Sequence, residues 1–332
     1  MAINFQLCWE PEDQTNILGI DIGGTKTALV MGTLEAKILR RTEFLTPIAD
    51  PFDIAISKIE NAVDNFIFDW HKDGNNKPRA ISVAIGGPLD IEKGILFSPP
   101  HLANWGTAPV KPNLQEYFKL PVFVEHDGNA GALAEYYFGA GQGSRNLIFI
   151  TMGTGLGAGI ILNGVIYHGS SDAAGEVGHI RMADQGPLEY GKVGSWEAFC
   201  SGSGIVKFAK LRSPDLWGPQ TTTHEIVQRA LAGDPTAIEL IDEVGRWLGK
   251  GLALLVDILN PDMIIIGTLG VLLGDLVLEP ARRILKQEAL AITNNVCKIL
   301  PAKLGSSLMD VGCLMAVYDA YKNKRLWLPQ DQ

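Results

Sequence analysis

The sequence is poor in cysteine. Its 332 residues include four, which lie far apart without CxxC or CxC spacing: Cys8, Cys200, Cys297 and Cys313. This scarcity excludes a disulfide framework or a thiolate metal site, and it favours free thiols in a reducing compartment. We therefore expect a cytoplasmic protein.

Positive charge and uninterrupted apolar runs are also scarce. Lys and Arg number 28 against 37 Asp and Glu, and the resulting net charge of −9 argues against nucleic acid as a partner. The apolar tract 252–277 is interrupted by three aspartates and a proline, which predicts a buried helix and strand instead of a membrane span. The N-terminal segment is acidic and has no apolar h-region, so we expect no signal peptide.

What the sequence does contain is two glycine-rich turns, each between two apolar strands. The first lies in the segment 18–27 and the second in 150–160. Glycine permits positive φ, so successive backbone N–H groups can converge on one anion, and threonine adds a hydroxyl donor. The second turn lies between strands and no GxxxxGK[ST] occurs, so neither turn is a Walker A loop or a dinucleotide fingerprint. Two such turns predict a clamp for a polyanion.

The pattern of strands and helices runs through the chain twice. A strand meander over 17–46 is followed by a helix over 52–72, strands at 80–85 and 122–124, and a helix over 129–138. The strand–turn–strand pattern restarts over 147–167. Helices then follow near 196–210, 223–232 and 235–259, a strand at 263–266, and helices at 275–289 and 311–321. This predicts two similar α/β halves with a cleft between them, a 1–125 domain completed by a C-terminal helix (311–325) and a 126–310 domain.

Four sequence blocks carry a more specific signal. LGIDIGGTKTALV, VEHDGNAGALAE, TMGTGLGAGIILNG and AAGEVGHI resemble, in order and spacing, the signature blocks of the ROK family of bacterial sugar kinases and repressors. The blocks cover about residues 17–205, and weaker similarity continues through NPDMIIIG. The resemblance implies an α/β fold of two ribonuclease H-like, actin-like ATPase domains, with the active site in the cleft between them, and a homodimer.

The resemblance also implies a kinase reaction in which ATP, bound with Mg²⁺, donates the phosphoryl group. Asp21 ends an apolar strand before the first turn, and a carboxylate there suits Mg²⁺ bound through water; the alternative is a turn aspartate that accepts backbone N–H groups. The implied phosphate-binding residues lie in the two turns, and two glycines lie on the adenosine side: Gly23, Gly24, Thr25, Lys26, Thr151, Gly153, Thr154 and Gly155 for phosphate; Gly267 and Gly270 for adenosine.

The acceptor side of the implied reaction centres on Asp127, which matches the family's catalytic base. The alternative role is an N-cap of the following helix. Carboxylates accept sugar hydroxyl protons, and His offers one donor and one acceptor. The resemblance implies seven sugar-binding residues: Gly87, Asn104, His126, Asn129, Glu176, His179 and Glu197. The alignment at Asn104 is loose, and His101 is the alternative for the same position.

The sequence departs from the family pattern at three places. The zinc motif CxCGxxGCxE is absent from 184–197, although Glu197 at its end is retained, so we expect no Zn²⁺ site and a loop held by packing of Tyr190 and Trp196. His126 stands where the family has Asn. The segment 267–270 replaces a glycine pair. The last two departures concern the identity of the sugar and the fit of the nucleotide.

The leading hypothesis is an ATP-dependent hexose kinase that phosphorylates glucose at the 6-hydroxyl. Alternatives are another hexose or an N-acetylhexosamine as acceptor, polyphosphate as donor, or a sugar-sensing regulator. A repressor needs a helix-turn-helix domain, and sixteen residues before Ile17 are too few for one. A nucleotide-switched, chaperone-like ATPase would have no reason to combine Glu176, His179 and Glu197.

Overall fold

A computed structural model describes residues 15–323. Cys8, the acidic N-terminal segment and residues 324–325 of the predicted last helix lie outside this range. Contacts divide the chain into two units. The first contains the described residues up to 134, 169–173 and those from 306, and the second contains 135–168 and 174–305. The division between 134 and 135 lies further along the chain than the predicted boundary at 125–126.

The first unit is built on a mixed five-stranded sheet with the strand order β3-β2-β1-β4-β8. Strands β1, β2 and β3 pair antiparallel, whereas β4 pairs parallel to β1 and β8 parallel to β4. A small sheet of β5, β6 and β7 accompanies it. The elements are β1 (Asn16–Ile22), β2 (Lys26–Thr33), β3 (Ile38–Leu45), α1 (Phe52–Lys72), β4 (Ala80–Ile85), β5 (Leu89–Asp90), β6 (Ile95–Phe97), β7 (Thr107–Ala108), α2 (Val110–Phe118), β8 (Val122–His126) and α3 (Asp127–Phe138).

The second unit repeats this topology. Its main sheet has the order β11-β10-β9-β14-β15, with β9, β10 and β11 antiparallel and with β14 and β15 added parallel to β9. The elements are β9 (Leu147–Met152), β10 (Leu156–Leu162), β11 (Val165–Ile166), β12 (Leu188–Glu189), β13 (Lys192–Val193), α4 (Trp196–Cys200), α5 (Gly202–Arg212), α6 (Thr223–Leu231), α7 (Pro235–Leu259), β14 (Met263–Ile266), α8 (Leu269–Leu273), α9 (Asp275–Glu288), α10 (Ala291–Asn294) and β15 (Lys298–Pro301).

Two short helices complete the first unit, α11 (Leu308–Gly312) and α12 (Met315–Lys322). The sequence predicted one helix here, and the structure interrupts it at Cys313 and Leu314. The matching order and direction of the two main sheets confirm two similar α/β halves.

Burial follows the sequence pattern. All six residues of β4 are buried, as expected for a parallel strand covered on both faces. Helix α1 buries one stripe, which includes Ile56, Ile59, Val63 and Phe66, against the first sheet. In the second unit α7 buries Leu240, Val244, Leu248 and Leu252 in the core. None of the helices within 15–323 combines the length and the apolarity needed to cross a membrane.

Candidate functional site

The carboxyl ends of three parallel strands form a polar edge of the first sheet. The register pairs Ile22 with Ile85 and Ile85 with His126, so β1, β4 and β8 end side by side. The next residues are Gly23, Gly86 and Asp127. In open α/β sheets ligands bind at the carboxyl ends of strands. We call this feature the first-unit edge, and it brings together the first glycine turn, the Gly86–Gly87 turn and the predicted base.

The first glycine turn is braced by Thr46. The Thr46 hydroxyl donates to the Gly23 carbonyl at 2.7 Å, and the Thr46 amide donates to the Thr25 carbonyl at 3.0 Å. The Gly23 amide donates across the turn to the Lys26 carbonyl at 3.0 Å. Thr25 and Lys26 are exposed, and Lys26 forms an ion pair with Glu43. The turn is therefore held in shape while its threonine remains accessible to a ligand.

Asp21 is a carboxylate with incomplete charge compensation. Its pKa is raised to about 7, mainly by burial and then by the negative charges of Asp127 and Asp310, against which Arg41 acts. Arg41 itself is bound to Asp310, with Nε and Oδ1 2.8 Å apart. A cation beside Asp21 would relieve this repulsion.

The donor set at the first-unit edge fits Mg²⁺ better than a structural metal. Within the described part of the chain, no group of three His, Cys, Asp or Glu side chains could hold a metal ion. Mg²⁺ needs few protein carboxylates, because waters and substrate phosphates supply its remaining ligands. Asp21, with Asp127 nearby, therefore fits an ion that arrives with a nucleotide.

Asp127 is the first residue of α3. The amide of Gly128 donates to Asp127 Oδ1 at 2.7 Å and is also 3.2 Å from His126 Nδ1. His126 Nδ1 is also 3.2 Å from Asp127 Oδ1. Asn129 is buried and donates to Glu125 Oε1 at 2.9 Å, and its Oδ1 has no partner among the described residues. An acid, an imidazole ring and an amide acceptor thus adjoin at the start of α3.

His101, and not Asn104, contacts the turns of the first-unit edge. A Cβ on Gly86 would lie 2.6 Å from His101 Cε1, and one on Gly24 would lie 3.1 Å from His101 Cβ. Burial, with a smaller effect of His126, lowers the pKa of His101, against the opposing effect of Asp127. Asn104 is exposed, and its side-chain amide donates to the carbonyls of Ile48 and Ala49 at 3.0 and 3.3 Å.

The second glycine turn is anchored to the start of α5. The Gly202 amide donates to the Gly153 carbonyl at 2.7 Å, and the Ser203 hydroxyl donates to the Thr154 carbonyl at 2.9 Å. Thr151 ties β9 to β10, because its hydroxyl oxygen accepts the Gly157 amide at 2.9 Å. The carbonyls of this turn therefore bind protein donors.

A cavity of about 540 Å³ opens beside this turn. Its walls come from the second glycine turn and the segments 202–203, 223–228 and 268–272, and they are mostly apolar: Gly153, Thr154, Gly202, Ser203, Thr223, His224, Val227, Gln228, Thr268, Leu269 and Leu272. Such a cavity has the size and character of a small-molecule site. The sequence did not point to His224 or Gln228, which are ordinary exposed residues of a helix.

Gly267 and Gly270 pack against the core behind this cavity. A Cβ on Gly267 would lie 2.8 Å from the Phe149 ring, and one on Gly270 would lie 2.3 Å from Ile266 Cγ2. The wall itself is formed by Thr268, Leu269 and Leu272. Thr268 has a φ of +32°, a conformation that L-residues rarely adopt. The two glycines thus allow the close packing that places these neighbours.

The predicted sugar-binding trio is spread over two adjoining segments of the second unit. Glu176 precedes a single turn of 3₁₀ helix, His179 is its last residue, and both are exposed, whereas Glu197 lies in the first turn of α4. The segments meet where the Trp196 amide donates to the Ile180 carbonyl at 2.8 Å. Burial and the charges of Glu189 and Glu176 raise the pKa of Glu197, which the Leu156 amide counteracts. The influence of Glu176 places both carboxylates in one electrostatic cluster.

Comparison with known proteins decides the family. A model of the ROK family matches residues 17–319. The chain belongs to the ROK family. It is 31% identical to a glucokinase of Halalkalibacterium halodurans over an alignment of 309 residues, which covers 89% of this chain and 92% of the glucokinase. It is also 30% identical to a xylose repressor of Caldicellulosiruptor bescii, over 92% of this chain and 79% of the repressor.

A solved ROK structure agrees with the fold. The glucokinase from Streptomyces griseus, crystallised with glucose and AMPPNP, is 32% identical and has a TM-score of 0.75, with 90% of this chain and 97% of that chain covered. Membership of the ROK family, together with the two matching sheets, confirms the predicted α/β class of two actin-like ATPase domains.

In this ROK protein an ion pair and backbone bonds hold the loop that lacks the cysteine motif. Lys207 Nζ donates to Glu189 Oε2 at 2.7 Å and to the Leu188 carbonyl at 3.1 Å. Lys192 binds the His179 carbonyl at 2.5 Å. Trp196 is fully buried as predicted, but the prediction for Tyr190 is wrong: the ring is 62% exposed at the tip of the β12–β13 hairpin.

Proposed function

We propose that this protein is an ATP-dependent hexose kinase that phosphorylates glucose at the 6-hydroxyl. The observation that carries the proposal is the position of Asp127 beside Asp21 at the carboxyl ends of β8 and β1, in a chain that is 31% identical to a glucokinase. A carboxylate at this position has an accessible acceptor oxygen and a neighbouring site suited to a phosphate-bound cation.

Asp127 is the general base. It accepts the proton of the sugar hydroxyl while the hydroxyl oxygen attacks the γ-phosphorus and the bond to the bridging oxygen of ADP breaks. Phosphoryl transfer needs positioning and charge stabilisation more than covalent chemistry. The Gly128 amide, which donates to Asp127 Oδ1, orients the carboxylate before the transfer.

Mg²⁺, when bound with ATP, neutralises phosphate charge and orients the γ-phosphoryl group. Asp21 would hold it through water. Thr25 and the amide of Gly24 bind phosphate oxygens in the first turn, Gly23 shapes the turn, and Lys26 is the nearby cation. Thr151, Gly153, Thr154 and Gly155 form the corresponding turn of the second unit.

We assign sugar-binding residues in each unit. Glu176, His179 and Glu197 bind hydroxyls in the second unit. In the first unit His126 offers its imidazole ring, Asn129 offers its Oδ1, which has no partner among the described residues, and Gly87 leaves room for the sugar beside His126. Of the two residues that the loose alignment left open, we assign this role to His101, because the Asn104 amide is bound to Ile48 and Ala49.

ATP is the proposed donor because a cavity of about 540 Å³ with mostly apolar walls adjoins the second glycine turn. Such a cavity suits the nucleoside of ATP, whereas polyphosphate has no apolar group to bury there.

Leu272 lines this cavity and is 56% exposed, so Leu272→Trp fills it without overpacking the core. We expect KM for ATP to rise about tenfold. Leu231→Trp, on an exposed position outside the cavity, is the control. An unchanged KM for ATP would remove the cavity as the nucleoside site.

The test of the proposed function is ADP release. Hexoses, amino sugars and N-acetyl sugars are supplied with ATP and Mg²⁺, and a parallel series replaces ATP with polyphosphate and measures the sugar phosphate formed. We expect the highest kcat/KM with glucose and ATP. Absence of sugar-dependent turnover with every pair would refute the kinase assignment.

A second candidate is a sugar-sensing regulator, which the 30% identity to a xylose repressor favours. It predicts that a sugar binds and raises the thermal midpoint while no phosphoryl transfer occurs. The homodimer and the cytoplasmic location stay predictions, and sedimentation velocity tests the dimer.

A further inference from the structure

Glu197 connects the proposed acceptor site with the second glycine turn. Its Oε2 accepts a hydrogen bond of 2.8 Å from the backbone amide of Leu156, the residue that follows Gly155 and begins β10. Ser195 fixes the start of α4, because its hydroxyl caps the Ala198 amide. One carboxylate oxygen of Glu197, a proposed sugar-binding residue, is thus hydrogen-bonded to the backbone of the proposed phosphate-binding turn.

The contact is so close that a side chain at position 155 would displace the carboxylate. A Cβ on Gly155 would lie 2.8 Å from Glu197 Oε2, which is shorter than an ordinary contact. The segment with Glu176 and His179 packs against the same strand. A Cβ on Gly178 would lie 2.2 Å from the Leu156 carbonyl oxygen and 3.1 Å from Glu197 Cβ. The three segments are therefore in close contact with one another.

The hydrogen bond from Leu156 should depend on what occupies the other carboxylate oxygen. Glu197 is only partly buried, and the neighbouring carboxylates Glu176 and Glu189 disfavour its ionised form. A sugar hydroxyl that donates to Oε1 would favour that form. An ionised acceptor makes a stronger bond to an N–H donor, and hydrogen bonds in one network reinforce each other.

We propose that Glu197 is a positioning residue for the nucleotide: sugar bound at Glu197 orders the second glycine turn through the Leu156 hydrogen bond, and each substrate raises the affinity for the other. This inference rests on the proposed function, since it takes Glu197 as a sugar ligand and the turn as a phosphate site. It adds a physical link between the two.

The experiment measures AMPPNP affinity with and without saturating glucose, and glucose affinity with and without saturating AMPPNP, on the full chain with Mg²⁺ by titration calorimetry. We expect each ligand to tighten the other about tenfold, by equal factors, because coupling between binding sites is reciprocal. In Gly155→Ala the new methyl group displaces the carboxylate from Leu156. We expect its coupling factor, the ratio of glucose affinities with and without AMPPNP, to fall below about twofold.

Gly153→Ala is the matched control. It lies in the same turn, but its Cβ would have no neighbour closer than Thr268 Oγ1 at 4.0 Å. It should retain the coupling factor even where nucleotide affinity falls. If Gly155→Ala does not fold, two variants at position 197 test the same hydrogen bond. Glu197→Gln keeps an oxygen for the Leu156 amide but cannot ionise, so we expect its coupling factor to lie between those of the unmutated protein and Glu197→Asp, at reduced sugar affinity. Glu197→Asp is too short to reach it and loses coupling.

A coupling factor of one in the unmutated protein overturns the inference, as does equal coupling in the two alanine variants. Glucose-dependent ADP release accompanied by either result leaves the kinase function intact. Absence of sugar-dependent turnover with every acceptor removes the proposed function together with the inference.

Discussion

Asp21 and Asp127 repel each other across the ends of β1 and β8. The charge of Asp127 is the second largest cause, after burial, of the raised pKa of Asp21. Two carboxylates held close together without a full set of cations cost folding free energy, and such arrangements are common where a charged substrate completes the site. The arrangement at the first-unit edge therefore predicts a conflict between stability and activity.

Asp21→Asn should make the metal-free protein more stable at neutral and alkaline pH. The folded pKa of Asp21, about 7, exceeds the ordinary value of 3.8. The contribution of the bound proton to the free energy of unfolding is therefore complete below about pH 4 and is lost as pH rises through 7. One pKa unit corresponds to about 1.4 kcal/mol, so the gain at pH 8 is about 2–4 kcal/mol. Thermal unfolding in EDTA at pH 5 and 8 measures it. An equal effect of the substitution at both pH values would contradict the assignment of the shift, and turnover should be lost in either case.

Asp127→Asn should lower kcat by at least about 100-fold, because a general base contributes a factor of this order. The amide still forms a hydrogen bond with a sugar hydroxyl, so glucose affinity measured by calorimetry should change only a few-fold. Asp53→Asn, an exposed carboxylate of α1, is the control. Retained activity in Asp127→Asn would remove this residue as the base.

His101→Ala should raise KM for the sugar about tenfold, because a partly buried neutral imidazole supplies one donor and one acceptor to hydroxyls. Asn104→Ala removes hydrogen bonds to Ile48 and Ala49 and should leave KM within about twofold, with a small loss of thermal stability. Steady-state kinetics with varied glucose compares the pair. The opposite pattern would make Asn104 the sugar ligand.

Lys207→Met should destabilise the second unit by about 1–3 kcal/mol, because Glu189 is 7% exposed and its charge would lose its cation. The double variant Glu189→Gln, Lys207→Met should recover most of this loss. Thermal unfolding measures both, and a zinc chelator should not shift the midpoint of the unmutated protein. A large shift with the chelator would show that a metal holds the loop.

Much of the fold could be predicted from local patterns. The apolar spacing between 52 and 72 predicted α1, and the mostly apolar run 80–85 predicted β4. The prediction missed β15, a four-residue strand that ends in Pro301, and the β12–β13 hairpin, whose strands have two residues each. Such short segments carry too few residues for a period, and they become strands because a neighbouring backbone supplies their hydrogen bonds.

The candidate site also has a part that the sequence predicts and a part that depends on the tertiary structure. The sequence by itself determined the two glycine turns, Asp21 before one of them, and Asp127 between a strand and a helix, because these features depend on local backbone chemistry. Only the tertiary structure decided that His101 approaches Gly24 and Gly86, that Asn104 binds two carbonyls, and that Glu197 accepts the Leu156 amide. Each of these contacts joins segments distant in the chain, and strand register and packing, which spacing along the sequence does not encode, determine where they meet.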